Sequence, residues 1–188
     1  MPYFTDADAR AIIRTTYEAA GSDDGAVAAA LYDPQALAGL PADAVLRAFG
    51  VGHPVRQAGL RLGEVVLDVG CGAGIDALLA ARQVGPRGRV LALDMTPAMA
   101  ERARANARAA GCDHVEVHEG LMEALPFPDA SVDVVVSNGV LNLSTRKSRS
   151  LAEMHRVLRP GGRIALADLV LAEALPEEIL KNPIALAV

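Results

Sequence analysis

Asp68, Gly70, Gly72 and Gly74, in the stretch VVLDVGCGAGID (65–76), place an acid and three alternate glycines directly after an apolar run, with a second acid, Asp76, closing it. Missing side chains let the backbone approach a ligand. A helix that starts near Ile75 also points unpaired N–H groups and its positive dipole end at any carboxylate or phosphate there. Tight strand-to-helix packing uses the same kind of turn, and the GxGxG spacing alone does not separate the two uses. Asp94, at the end of RVLALD, adds a second feature: it follows the loop by about the 20 residues at which an acid accepts hydrogen bonds from ribose hydroxyls. Loop plus acid reads as an adenosine site.

Asp68 bears on the choice of cofactor. A carboxylate just before the glycines repels a pyrophosphate and attracts an ammonium group, directly or through water. S-adenosylmethionine carries that ammonium, and a nicotinamide dinucleotide presents none there. Accepting loop N–H bonds is the plainer role for Asp68, and the two coexist.

These residues need a scaffold that brings strand ends together. From Glu64 onward apolar β-rich runs alternate with Ala/Arg-rich ones. The expected order is strand VVLDVG, a helix through LLAARQVG, strand RVLALD, a helix from Pro97 to about Ala110, strands VEVHEG and VDVVVSNG, a helix over SRSLAEMHRVL, and strand RIALADLV. That alternation predicts an α/β fold with an open, largely parallel sheet covered by helices on both faces. Thr96-Pro97 offers an N-cap followed by Pro at the first helical position. Arg159-Pro160-Gly161-Gly162 is expected to stop one helix and start a strand. Residues 1–62, with DADARAIIRTTYEAA, PQALAGL and ADAVLRAF, read as a cap of short helices; residues 63–188 read as the cofactor-binding core, both within one structural domain.

The 188 residues carry 18 Lys and Arg against 23 Asp and Glu, for a formal charge of -5. Such a surface gives no basic field for gripping nucleic acid, so a small-molecule partner is expected. No run approaches the roughly 20 apolar residues of a membrane helix. Cys71 and Cys112 form no CxxC pair, and the polar opening MPYFTDADAR is unlike a secretory leader, so a cytoplasmic location is expected.

The stretches VVLDVGCGAGID, RVLALDMTPAMAERAR, EGLMEALPFPDASVDVVVSN and EMHRVLRPGGRIALADLV resemble, in order, the motifs of class I S-adenosylmethionine-dependent methyltransferases. Within that superfamily LYDPQALAGLPADAV, FGVGHP, GIDALLAARQVGPRGRV, LDMTPAM, SNGVLNLS and ALPEEILKNP are similar to arsenite methyltransferases. The resemblance implies a Rossmann-like fold and S-adenosylmethionine as cofactor. It also implies a pocket residue by residue. Asp68, Gly70, Cys71 and Gly72 belong near the methionyl group, Asp94 at the ribose and Met95 beside adenine. Leu121 and Met122 belong at the base, Met122 through its backbone, and Asn138 beneath the sulfonium end. It assigns no general base and no metal.

Two departures shape the functional expectation. Where the family carries cysteines for trivalent arsenic, this sequence has Val51 in FGVGHP and Gly139 in SNGV, so the expected acceptor is a small molecule other than arsenite; the alternatives are an arsenite methyltransferase-like enzyme with another thiol arrangement, or a catalytically inactive cofactor-binding sensor or partner subunit. Methyl transfer otherwise needs little protein chemistry, because the sulfonium is already an activated donor. His53, Glu119, Glu123, and the basic run Arg146, Lys147 and Arg149 are weighed as substrate contacts, with capping or solvated roles as their commoner fates. The sheet is expected to be truncated after its fifth strand, leaving RIALADLV at an edge. A homodimer through that edge, or a shield built from residues 175–188, would cover Leu166, Leu169, Val170 and Leu171.

Overall fold

A computed structural model describes residues 4–22, 24–183 and 185. Five strands form one sheet: β1 (Val65–Val69), β2 (Arg89–Asp94), β3 (Val115–Glu119), β4 (Val132–Asn138) and β5 (Leu158–Ala167). They lie in the order β3-β2-β1-β4-β5, and every pairing is parallel. Parallel strands need both faces covered, and β1 is correspondingly apolar on each: Val66 and Leu67, on opposite faces, are both fully buried. Chain order and sheet order reverse between β1 and β4, which puts the carboxyl ends of β1, β2 and β4 around one crevice.

Nine helices of the described residues surround the sheet. The amino-terminal segment supplies α1 (Asp6–Ala19), α2 (Ala26–Leu31), α3 (Pro34–Leu37), α4 (Ala42–Leu46) and α5 (Pro54–Ala58). The alternating part supplies α6 (Ile75–Val84), α7 (Pro97–Ala109), α8 (Lys147–Val157) and, after β5, α9 (Glu177–Leu180). On one face Val66, Val90, Ala92, Val134 and Val136 meet α6, α5 and Ala103 of α7, together with Ala28 and Tyr32. On the other, Leu67, Val69, Leu91, Leu93 and Val135 meet Met154 and Val157 of α8 and the loop residues Leu125 and Phe127. The helix α6 is apolar on nearly every side because Leu78 turns outward against Ala44 of α4 and Ala107 of α7. The early helices therefore share a core with the sheet.

Arginine side chains fix the irregular connections. Arg163 on β5 forks onto both Glu64 carboxylate oxygens at 2.8 Å and donates to the Ala58 and Gly59 carbonyls, which closes α5 onto the sheet. Arg82 on α6 donates to the carbonyls of Ala36 and Ala38 at 2.9 Å. Arg156 on α8 gathers Leu125 O, Phe127 O, Glu153 and Asp129. Carbonyls in loops otherwise lack partners, so each guanidinium satisfies several at once.

Four local expectations change. Arg159-Pro160-Gly161-Gly162 does not separate helix from strand; β5 begins at Leu158, directly after α8, and a register shift between Val132 and Val134 absorbs the extra residues as a bulge. The same strand stops at Ala167 rather than running through Val170, because Asp168 turns its carboxylate back to accept from Leu169 N and Asn142 N. Thr96 occupies the N-cap position of α7 without a side-chain cap bond. The short helices α2 and α5 carry no periodic pattern long enough to reveal them in sequence. As expected, β5 is an edge strand, and among the described residues Leu169, Val170 and Leu171 remain exposed while Leu166 is half-buried. The described part of the 175–188 tail leaves those three uncovered.

Leu67 sits at 0% exposure in the central strand. Leu67→Ala is expected to cost about 2–5 kcal/mol of stability through lost burial and a residual cavity. Urea unfolding of both proteins measures this; a loss below about 1 kcal/mol would place the main core elsewhere.

Candidate functional site

The crevice is an open cleft of about 1080 Å³, its mouth included, at the carboxyl ends of β1, β2 and β4. All nine residues assigned from the sequence line it: Asp68, Gly70, Cys71, Gly72, Asp94, Met95, Leu121, Met122 and Asn138. Ala9, Ile13 and Tyr17 of α1 close one side, and Ile13 packs with Leu143 and Met95 in a small apolar cluster. Phe49, Gly50, Gly139 and Val140 form one end.

The glycine turn is built around the end of β2. Gly70 N and Cys71 N both donate to Leu93 O, at 2.7 and 2.9 Å, and Gly72 N donates to Asp94 Oδ2 at 2.9 Å. Gly74 N closes the turn onto Cys71 O. Gly70 has φ +76°, and a β-carbon there would collide with the Val140 side chain, so both conformation and space require glycine. Four donors of the turn are thus used within the protein. At the amino end of α6, the Ala77 amide lies near the Asp68 carboxyl and favours its charged form.

Two buried carboxyls and a half-buried one, Asp94, result. Asp94 also accepts from Thr96 N through Oδ1 at 2.8 Å, and burial raises its pKa against those hydrogen bonds. Each of its oxygens keeps a second lone pair for a ligand hydroxyl. Asp76, at the start of α6, accepts through Oδ2 from Tyr32 Oη at 3.1 Å and Asn138 Nδ2 at 2.9 Å. Burial pushes its pKa up to about 6. Asp68 rises well above the usual carboxylate range through burial and the neighbouring charges of Asp76 and Asp94. Asp68 Oδ2 and Asp76 Oδ1 are buried with no hydrogen-bond partner. Two partnerless carboxylate oxygens in adjoining residues suit a donor-rich cation.

Asn138, in the cleft lining, also makes a set of internal hydrogen bonds. Its Oδ1 accepts from Val51 N at 2.8 Å and Gly52 N at 3.1 Å, while Nδ2 reaches Gly52 O, Asp76 Oδ2 and Tyr32 Oη. It holds the 50–53 turn against β4. Val51 and Gly139 meet there: a β-carbon on Gly139 would stand 3.6 Å from Val51 Cγ1. Cys71 is buried in the glycine turn, and burial with Asp94 and Asp68 nearby raises its thiol pKa well above normal. Cys112 lies away from the cleft, against α6 and α4.

The minor candidates sort as follows. His53 caps α5, its Nδ1 accepting from Arg56 N at 3.4 Å, and its ring meets Tyr32 edge-on. Glu119 is an exposed partner of Arg104. Glu123, however, is buried in the cleft wall and accepts from Ser144 Oγ at 2.6 Å, so its solvated reading is corrected. The basic run lies on an exposed face, as expected, and makes local contacts there: Arg146 pairs with Asp6, Lys147 donates to Asn142 O and Ser144 O, and Arg149 donates to Glu123 O. Among the described residues no group of three or more His, Cys, Asp or Glu could hold a metal ion. Sequence reasoning passed over Asp76 and Tyr32. Asp76 was visible as the acid closing the glycine stretch, but Tyr32 lies 44 positions away and carries no motif.

An acid whose folded pKa lies above its unfolded value is stabilised in its protonated form, so stability is lost as pH rises through the folded pKa. Raising pH from 5 to 7 is therefore expected to cost the ligand-free protein, relative to Asp76→Asn, on the order of 1 kcal/mol. Thermal unfolding of the pair across that range checks it; parallel pH profiles would show that Asp76 titrates normally.

Residues 60–186 match the family model described as a methyltransferase domain. An arsenite methyltransferase of Halobacterium salinarum is 43% identical over 152 residues, covering 81% of this chain and 39% of that protein. A ubiquinone/menaquinone biosynthesis C-methyltransferase of Marinomonas sp. is 38% identical over 136 residues, covering 70% and 51%. The crystal structure of an arsenic(III) S-adenosylmethionine methyltransferase from Chlamydomonas reinhardtii superposes with TM-score 0.72 at 36% identity, over 87% of this chain and 55% of that one. The chain thus spans about two-fifths to one-half of the curated relatives' length. With its sheet order, its acid-flanked glycine turn and these matches together, the chain belongs to the class I S-adenosylmethionine-dependent methyltransferases, close to the arsenite methyltransferase family.

Proposed function

We propose that the chain binds S-adenosylmethionine in this cleft and transfers its methyl group to a small molecule other than arsenite. One observation carries the reading: buried, partnerless oxygens of Asp68 and Asp76 stand beside the glycine turn, one strand from Asp94. The residues fit the cofactor's parts. Asp68 and Asp76 take the ammonium, and Asp94 takes the ribose hydroxyls on its remaining lone pairs. Met95, Leu121 and Met122 give the base an apolar slot. When bound, the cofactor supplies an activated methyl group on a positively charged sulfur.

The chain's own residues then have three tasks: to hold the donor, to align an acceptor with it, and to exclude water. Ala9 and Ile13 of α1, both buried, cover the cleft from one side. The acceptor enters at the end formed by Phe49, Gly50, Gly139 and Val140. That end carries no carboxylate or imidazole among its named residues, which suits a soft or already ionised nucleophile aligned by shape.

The names of the relatives divide between arsenite and quinone substrates, so the acceptor rests on local chemistry. Trivalent arsenic is captured by thiolates. Val51 and Gly139 face each other without sulfur, and Cys71, in the cleft lining, is held as a neutral thiol. Arsenite with excess reducing thiol is expected to give no methylated arsenic under conditions where S-adenosylmethionine binds. Methylarsenic product at a steady rate would restore arsenite as the substrate.

Asp94→Ala is expected to weaken S-adenosylmethionine binding by about 1.5–3 kcal/mol, the cost of losing hydrogen bonds to a charged group. Titration calorimetry on the two folded proteins is the test. Equal affinities would remove Asp94 from the ribose.

A further inference from the structure

We propose that Asn138 is a positioning residue that links occupancy of the Asp68–Asp76 site to the geometry of the 50–53 turn at the acceptor end. The inference rests on the cofactor reading above and adds how the two halves of the cleft communicate. One side-chain amide makes both connections. Its Nδ2 donates to Asp76 Oδ2 at 2.9 Å, and its Oδ1 accepts from Val51 N and Gly52 N at 2.8 and 3.1 Å. Tyr32 braces the same junction, with its hydroxyl on Asp76 and its ring against His53 at the end of the turn.

The fit leaves little slack. A β-carbon on Gly50 would collide with the Asn138 amide, and one on Gly52 would stand 2.6 Å from Ala167 Cβ. Gly139 N is itself tied to Ala167 O at 2.8 Å, so the turn has β4 and β5 as a fixed floor.

A cation seated on the free oxygens of Asp68 and Asp76 holds Asp76 ionised. The bonds it accepts from Asn138 and Tyr32 then become charge-assisted and about twice as strong. An amide whose N–H is drawn toward an anion presents a more negative oxygen, which tightens its grip on the two turn amides. Donor binding in this way firms the surface on which the acceptor is aligned.

The test is amide hydrogen exchange at Val51 and Gly52, followed by NMR on the whole chain with and without saturating S-adenosylmethionine, beside a calorimetric titration. In the wild type these amides are expected to exchange about fivefold or more slowly with ligand, which corresponds to about 1 kcal/mol of added protection. Asn138→Ala, compared at a ligand concentration that the calorimetric titration shows to saturate it, is expected to lose the ligand-dependent slowing. Rescue of a merely structural defect would not restore that dependence on ligand. Asp76→Asn provides a near-isosteric second variant: it keeps an oxygen for Asn138 and Tyr32 but no charge, and at saturation it too is expected to show no slowing. Ligand binding with unchanged Val51 and Gly52 exchange in the wild type overturns the link alone. Slowing that persists in either variant does the same. Failure of the wild type to bind S-adenosylmethionine overturns the cofactor reading and this inference together.

Discussion

The constraint on which the rest of the cleft depends is the burial of Asp68 and Asp76 side by side. Removing a carboxylate from water costs several kcal/mol unless something replaces the lost hydration. Here the replacement is partial: Tyr32 and Asn138 donate to Asp76, and the nearby Ala77 amide favours the charged form of Asp68, leaving one oxygen of each without a partner. The ligand-free cleft responds by favouring the protonated acids. On the proposed reading, a bound ammonium would supply the missing donors and the missing charge, so that affinity would be stored in an arrangement that is unfavourable when empty.

The surroundings can be understood as what is needed to keep that arrangement in place. Parallel pairing of β1 with β2 and β4 fixes three strand ends within reach of one ligand. Spending the Gly70, Cys71 and Gly72 donors on Leu93 and Asp94 makes the glycine turn a rigid part of the sheet edge rather than a phosphate cradle. On the proposed reading, that arrangement disfavours a pyrophosphate and favours a cationic amino-acid end. The same logic reaches the acceptor end, where Asn138 replaces covalent connection with five hydrogen bonds.

Much of this was legible in the sequence where local chemistry and spacing coincide. Strand periodicity, the Asp68-to-Asp94 spacing and the apolar run of β4 placed the crevice and its acids. What stayed hidden depends on contacts between distant segments. Tyr32 and Glu123 look ordinary because their partners, Asp76 and Ser144, are 44 and 21 positions away. The β5 bulge was missed because Pro160-Gly161-Gly162 carries a breaker pattern that pairing with β4 overrides. The internal use of the glycine turn's donors was hidden for a related reason: sequence shows the donors, while only the fold shows that Leu93 O takes two of them.

The most direct measurement is a crystal structure of the chain with S-adenosylmethionine or its demethylated product. The predicted result puts the ligand's ammonium nitrogen within hydrogen-bonding distance of Asp68 Oδ2 and Asp76 Oδ1, with its ribose diol on Asp94. A ligand bound in another orientation, with those two oxygens still lacking partners, would contradict it.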